Sequence, residues 1–175
     1  MGFTSKNMIK TKEFEKHKKV EELILSSYEE MYRLAYSYVG NEQDALDVVQ
    51  ESTYKCLCNT KQIRQEKYIK TWVWRIVINT AIDFSRKRAK EIEIDGKLCE
   101  CVAKEDTSED REGIYEALLI LEEHEKSIII LYYFEQFKIR EIAEIMQMNV
   151  NTVKSVLYRS LKKLKLELKK GDMVI

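Results

Sequence analysis

The stretch FKIREIAEIMQMNVNTVKSVLYRSLKKL, residues 137–164, contains two amphipathic helical patterns separated by a short turn. In the first pattern apolar residues recur at i, i+3, i+4 and i+7, the spacing of one helical face: Ile139, Ile142, Ala143 and Met146. Asn149 can cap the second helix with its side-chain oxygen, and a single apolar stripe follows at Val150, Val153, Leu157, Leu161, Leu164 and Leu168. Two short helices joined in this way predict a helix-turn-helix, whose second helix enters the major groove of DNA.

The side of the second helix opposite its apolar stripe is polar and basic. A solvated surface helix has the same composition, but the short helix and tight turn that come first favour contact with DNA. The candidate DNA-contacting residues are Asn151, Thr152, Lys154, Ser155, Val156, Arg159, Lys162 and Lys163. A one-component repressor or activator would contain the same motif, so the motif alone does not define the function.

The rest of the chain also has helical rather than alternating periodicity. Its 175 residues include no proline and five glycines, and we predict an all-α protein. The apolar run IIILYYF, residues 128–134, could be a buried strand, but its position before the helix-turn-helix favours a helix. The acidic, glycine-containing segment 92–111 breaks the rhythm and predicts a linker between two small helical domains, residues 1–91 and 112–175.

Charge is distributed in blocks, although 30 basic and 30 acidic residues cancel overall. Residues 67–90 contain seven Lys or Arg and one Asp, and residues 152–170 contain seven Lys or Arg and one Glu. Residues 21–51 contain eight acidic residues and one Arg, and residues 91–125 contain thirteen acidic residues and three basic ones. Alternating blocks are expected if one surface meets phosphate and another meets a basic protein partner.

Several classes of function are not indicated. No stretch of 18 apolar residues and no apolar leader is present, so we expect a cytoplasmic protein. Phosphate-binding, dinucleotide-binding, zinc-protease and nucleophile-elbow motifs are missing, so we expect neither an enzyme nor a cofactor. Cys56 and Cys58 point about 200° apart on a helix and are poorly placed to share a metal, while Cys99 and Cys101 in the linker leave a metal or redox role open.

Two segments of the N-terminal half have compositions that indicate binding surfaces. Residues 41–54, NEQDALDVVQESTY, place Asp44, Asp47 and Glu51 on one helical side, either a solvated face or a docking surface. Residues 68–88, YIKTWVWRIVINTAIDFSRKR, set two tryptophans and several cations around an apolar stripe. Such tryptophans are usually core residues, but beside cations they also suit stacking on an unpaired base, worth roughly 1 to 3 kcal/mol per base.

Taken in series, the three motifs resemble the extracytoplasmic-function sigma factors of bacterial RNA polymerase. DALDVVQE, residues 44–51, resembles the family's Asp-Ala-Glu-Asp-Leu-x-Gln-Glu helix, which docks on the clamp helices of the largest polymerase subunit. REIAEIMQMNVNTVKS, residues 140–155, resembles E-I-A-E-I-L-G-I-S-E-G-T-V-K-S, which reads the minus-thirty-five promoter element. The family's W-x-x-x-I-x-x-N-x-x-x-D-x-x-R segment, which recognises and opens the minus-ten element, is matched by Trp72, Ile76, Asn79, Asp83 and Arg86.

The resemblance implies an alternative sigma factor that binds core RNA polymerase and directs promoter-specific initiation in a stress or envelope response. Residues 1–91 would form the region-two domain and residues 112–175 the region-four domain. The implied partners are core polymerase, promoter DNA and a membrane-anchored anti-sigma factor, with no small-molecule substrate and a monomeric free state. The implied polymerase-docking residues are Asp44, Asp47, Gln50 and Glu51, and the implied minus-ten residues are Trp72, Trp74, Arg75, Asn79, Arg86, Lys87 and Arg88.

The chain departs from the family pattern at several positions. Leu46 replaces a Glu of the docking helix, and Val156 stands where an Arg often follows T-V-K-S. Gln136 and Gln147 occupy positions where the family commonly has glycine, so we expect left-handed backbone at non-glycine residues. The alternative hypothesis is an autonomous helix-turn-helix regulator that binds duplex DNA without polymerase.

Overall fold

The computed structural model describes residues 3–95 and 117–171, with side chains described at 11–91 and 117–167. Every regular element in these ranges is helical, which confirms the all-α class. The N-terminal half contains α1 (Phe3–Ser26), α2 (Tyr28–Val39), α3 (Glu42–Cys58), two 3-10 turns (Thr60–Gln62 and Glu66–Tyr68) and α4 (Ile69–Asp95). The C-terminal half contains α5 (Glu123–Ile129), a π-helical turn (Ile130–Phe134), α6 (Ile139–Met146) and α7 (Val150–Gly171).

The C-cap of α2 and the N-cap of α3 are adjacent residues. Gly40 ends α2 in the left-handed conformation, with φ of 72°, and its N–H donates to the Tyr36 carbonyl at 2.8 Å. Asn41 then caps α3, because its side-chain oxygen accepts from the Asp44 backbone N–H at 2.9 Å. This junction turns the chain so that α2 and α3 pack against each other.

The core of the first domain is formed by the facing apolar stripes of α2, α3 and α4, with α1 packed across α3 and α4. The predicted stripe of α4 is largely correct, since Ile69, Val73, Val77 and Thr80 are buried and Ile76 is half-buried. Burying such side chains stabilises the fold by about 1.5 to 3 kcal/mol for each large aliphatic group. The fully buried residues include Met31, Leu34, Val48, Val49, Val73, Trp74 and Val77.

In the second domain α5, α6 and α7 pack around a smaller core. The run at 128–134 is helical, as predicted, passing from α5 into the π-helical turn, and Ile128 and Leu131 are fully buried. α6, the three-residue turn and α7 form the predicted helix-turn-helix, with the Asn149 side-chain oxygen accepting from the Asn151 N–H at 2.8 Å. Val153 and Leu157 of the α7 stripe complete this core.

Left-handed backbone occurs at both glutamines that replace a family glycine. Gln136 follows the π-helical turn and Gln147 ends α6, each with φ of 53°. The Gln147 conformation lets the Met148 N–H donate to the Ala143 carbonyl at 3.0 Å, which closes the end of α6. The expected strain at these two positions is therefore present.

α4 continues to Asp95, so the first four residues of the predicted linker, 92–95, are helical. The remainder of the predicted linker, residues 96–111, and with it Cys99 and Cys101, lies outside the described residues. Within the part that is described, no helix is both long and apolar enough to span a membrane.

Gln147→Gly should stabilise the protein by about 1 kcal/mol, since an L-residue pays about 1 to 2 kcal/mol in the left-handed region and glycine does not. Urea unfolding monitored by circular dichroism measures the change. Gln147→Ala is the matched control, because it shortens the side chain but keeps its Cβ. Equal stability of the two variants would show that the turn conformation is not the cause.

Candidate nucleic-acid interface

The exposed face of α7 presents the polar and basic side chains predicted to meet DNA. Asn151, Thr152, Lys154, Ser155 and Lys162 are all exposed. Val156 is half-buried and packs at the edge of the core, so less of it is available to a ligand than predicted. The face is suited to the major groove, where exposed polar side chains reach base edges and cations reach phosphates.

An exposed tyrosine lies in this face, and the sequence reasoning missed it. Tyr158 stands one helical turn from both Lys154 and Lys162 and is 70% exposed. Helical spacing alone identifies it, because i±4 neighbours share a face.

Two of the predicted DNA contacts, Arg159 and Lys163, are paired with an acid from another helix. The Arg159 Nε donates to the Glu125 Oε1 at 3.2 Å, and the Lys163 Nζ donates to the Glu125 Oε2 at 2.7 Å. Glu125 stands on α5 and is 1% exposed. These two cations therefore stand at the α5 edge of the exposed face, where the Arg159 side chain is still 62% exposed.

A pocket of about 510 Å³ opens beside Trp72 at the start of α4. Trp72 is half-buried, so one part of its ring packs in the domain and another lines the pocket. The other walls come largely from the polar and basic loop before α4, which had not been predicted as part of the site: Gln62, Arg64, Gln65 and Tyr68. An aromatic face, amide groups and a guanidinium are the groups that bind an unstacked base.

Trp74 was predicted as a DNA contact, but in this structure it does not belong to an exposed surface. It is 2% exposed and packs edge-on against Phe137 of the second domain, with ring centroids 5.7 Å apart. Two residues along a helix point about 200° apart, so Trp72 and Trp74 cannot both face the pocket. The neighbouring Arg75 donates to the main-chain carbonyls of Glu144 and Ile145, the latter at 3.2 Å.

The remaining residues predicted to contact the minus-ten element are exposed, and three of them form ion pairs. Asn79 and Lys87 are exposed, and Lys87 lies 3.9 Å from Glu91 on its own helix. Arg86 forms a two-pronged ion pair with Glu123 of α5, at 2.6 and 3.1 Å. Arg88 pairs with Asp44 of α3 at 3.2 Å.

The acidic surface of α3 borders a groove of about 640 Å³ between α3 and α4. The exposed residues Asp47, Gln50 and Glu51 line it, together with Tyr54, which is 66% exposed and was not predicted. Asp44 is a correction to the predicted stripe, since it is only 6% exposed.

Asp44 is buried because its side chain is used within the domain. Its carboxylate accepts from the Asn41 Nδ2 at 2.8 Å and forms an ion pair with the Arg88 Nε at 3.2 Å. A carboxylate held in this way joins the start of α3 to α4 and leaves little surface for a partner.

The two domains are in direct contact. Lys126 of α5 is 8% exposed, donates to the Ser37 carbonyl at 2.9 Å and lies over the Tyr38 ring at 5.2 Å. Burial lowers the pKa of this ammonium, while the nearby Glu123 carboxylate opposes the shift. The Tyr38 hydroxyl donates to the Glu123 carbonyl at 2.9 Å and meets the Ser127 hydroxyl.

The geometry thus defines a class of protein, a two-domain helical DNA-binding protein with a basic reading helix, a base-sized pocket and an acidic groove. Two family models match the chain: "Sigma-70 region 2" at residues 23–91 and "Sigma-70, region 4" at residues 111–164. The chain is 46% identical over 147 residues to the RNA polymerase sigma factor SigV of Bacillus subtilis, covering 83% of this chain and 88% of that protein.

This chain belongs to the extracytoplasmic-function sigma factors, and it is an alternative sigma factor of RNA polymerase. The fold agrees with that of the sigma factor RpoE, solved with the anti-sigma factor NepR from Bartonella quintana, at a TM-score of 0.75 and 25% identity, covering 87% of this chain and 98% of that one. CnrH, solved in complex with the cytosolic domain of CnrY, has the same fold at a TM-score of 0.67 and 20% identity, covering 86% of this chain and 88% of that one. The hypothesis of an autonomous regulator is not supported, since the N-terminal half is a sigma region-two domain.

Arg86→Glu should loosen the contact between the domains, because it replaces the ion pair with Glu123 by repulsion between two carboxylates. An increased radius of gyration in small-angle scattering would report the change. The double variant Arg86→Glu, Glu123→Arg restores opposite charges and should return the radius to that of the native chain. Lys87→Glu is the control, since Lys87 pairs within α4; an equal increase in that variant would contradict the assignment.

Proposed function

We propose that the chain uses three separate surfaces during initiation. The groove beside α3 holds core polymerase, the pocket beside Trp72 captures an unstacked base of the minus-ten element, and α7 reads the minus-thirty-five element. The observation that carries this proposal is the position of α4, which lines both the acidic groove and the base-sized pocket.

Docking on polymerase is assigned to Asp47, Gln50, Glu51 and the newly identified Tyr54. These residues combine exposed carboxylates with an exposed aromatic ring, the combination that favours a basic helical partner with some apolar surface. Asp44 contributes indirectly, because it holds the start of α3 in place.

Asp47→Lys should reduce the affinity for core polymerase by more than about tenfold, since a like charge in a complementary interface costs several kcal/mol. Co-purification and titration of labelled protein with core enzyme measure the loss. Glu42→Lys makes the same charge change on another side of α3 and should bind normally. Full binding by the Asp47 variant would remove the groove from the docking surface.

Opening of the minus-ten element is assigned to Trp72 and the loop before α4. A flipped base costs a few kcal/mol of stacking and pairing, which a pocket with an aromatic wall can offset. Asn79, Lys87 and the cations Arg75, Arg86 and Arg88 lie along the same helix as candidates for backbone phosphates. Arg75, Arg86 and Arg88 can bind phosphates only after they leave the carbonyl and carboxylate groups that they contact in this structure.

Trp72→Ala should slow open-complex formation by about tenfold or more, because stacking contributes about 1 to 3 kcal/mol per base. A permanganate footprint of the holoenzyme on promoter DNA follows the opening. Trp72→Phe retains a stacking ring and should lose less. A promoter with an unpaired minus-ten region should largely rescue the alanine variant; no rescue would assign Trp72 to the fold alone.

Upstream recognition is assigned to the exposed face of α7, with Tyr158 added to Asn151, Thr152, Lys154, Ser155 and Lys162. Lys154 and Lys162 supply charge for phosphates, and the shorter polar side chains can reach base edges. Arg159 and Lys163 stand at the border of this face, next to α5.

The two domains separate when both promoter elements are bound. The elements lie about 25 base pairs apart, which is about 85 Å at about 3.4 Å per base pair. A compact chain of this length has a radius of gyration of only about 16 Å. In the structure described above the two domains are in contact, and we call this the closed arrangement. In it Arg75 and Arg86 are bonded to the second domain, and Glu144 of that domain forms part of the wall of the Trp72 pocket.

The proposed role supplies binding surfaces and no chemistry, so the chain is not an enzyme and polymerisation belongs to core polymerase. It would act in the cytoplasm as a monomer when free, and it would be controlled by an anti-sigma factor. The control is supported by the sigma factor RpoE, which was solved in complex with the anti-sigma factor NepR.

A further inference from the structure

A single buried carboxylate joins two cations of the reading helix to α5. The Glu125 Oε1 accepts from the Arg159 Nε at 3.2 Å and from the Lys163 Nζ at 2.9 Å, and its Oε2 accepts from the same Nζ at 2.7 Å. The Oε2 also accepts from the Glu122 backbone N–H at 3.2 Å, which caps α5. The Glu125 carboxylate therefore both caps its own helix and binds α7, and it is almost completely buried.

The carboxylate is ionised and fixed by these donors. Burial by itself would raise the pKa of Glu125, but the bonds from Lys163, the Glu122 N–H and Arg159 outweigh it and hold the pKa below its usual range. A buried charge with several hydrogen bonds has little freedom to move, and loss of a partner is costly. The two cations differ in what they expose, since the Arg159 side chain is 62% exposed and that of Lys163 is 38% exposed.

The geometry leaves most of the Arg159 guanidinium available. The bond to Glu125 uses Nε, one of five N–H donors, and the other four belong to the terminal nitrogens. Those nitrogens form the planar fork that recognises a phosphate or a guanine edge. Anchoring a long side chain before binding also removes about 0.5 to 1.5 kcal/mol of ordering cost for each immobilised side chain.

We propose that Glu125 is a positioning residue for upstream promoter recognition, which holds Arg159 by its Nε and directs the terminal nitrogens of that residue toward DNA. The proposal rests on the assignment of α7 to the minus-thirty-five element. Lys163 serves as the second cation that keeps the carboxylate charged and in place. If Glu125 only neutralised the two cations, removal of its charge would strengthen binding to any DNA. If it positions Arg159, removal of its charge should weaken recognition of the upstream element.

The test is a double-mutant cycle with Glu125→Gln and Arg159→Ala in the assembled holoenzyme. The DNA is a promoter selected from random duplexes by the native holoenzyme, compared with the same duplex carrying a scrambled upstream element. Glu125→Gln should lower the ratio of the two affinities by about three- to tenfold, and in the Arg159→Ala background it should have almost no further effect.

Glu141→Gln is the matched control, because Glu141 makes the corresponding capping bond to the Lys138 N–H at the start of α6. This variant should keep the native ratio. An unchanged or increased ratio in Glu125→Gln would overturn the proposal, and so would an equal decrease with and without Arg159. If the native holoenzyme itself fails to distinguish the two duplexes, the assignment of α7 has failed instead.

A measurement on the native free protein covers the case in which Glu125→Gln does not fold. Nitrogen-15 relaxation of the arginine Nε–H groups should show restricted motion at Arg159 compared with the exposed Arg140 of α6. Equal mobility of the two groups would show that Glu125 does not fix Arg159.

Discussion

The apolar stripe of α4 packs against α2 and α3, and this burial determines where every other side chain of that helix can point. Ile69, Val73 and Val77 face the core, so Trp72 turns toward the loop before the helix and Trp74 turns toward the second domain. The same rotation places Asp83, Phe84 and Lys87 along the groove beside α3. Loss of packing in this stripe would therefore disturb the acidic groove, the base-sized pocket and the domain contact together.

The closed arrangement and the proposed DNA complex use the same groups. Arg75 and Arg86 are held by the second domain, and Trp74 is packed against Phe137. In the proposed complex DNA takes the place of the second domain as the partner of these cations, so binding of one would weaken the hold of the other by the same free energy. Polymerase, which would hold the domains apart, would thereby increase affinity for promoter DNA without touching the DNA itself.

Periodicity and turn chemistry predicted the features that depend on neighbours in sequence. The all-α class, the helix-turn-helix and the helical state of residues 128–134 belong to this group. The left-handed backbone at Gln136 and Gln147 was instead expected from the glycines that the family commonly has at these positions. Helical spacing did not reveal the partners that are distant in sequence: Asp44 pairs with Arg88, Trp74 packs against Phe137, and Arg159 pairs with Glu125. Helical spacing shows which face a residue occupies but not which other element covers that face, and the roles assigned to the individual site residues stay predictions.

Main-chain carbonyls are the acceptors in several contacts between the domains. Arg75 donates to the last turn of α6, Lys126 to the end of α2, and Tyr38 to the Glu123 carbonyl. A carbonyl persists whatever side chain its residue has, so substitutions at the accepting positions leave these bonds intact while substitutions at the donors remove them. The contact between the domains thus constrains side-chain identity at the three donors. Ser37 and Ile145 are constrained by their burial and not by their role as acceptors.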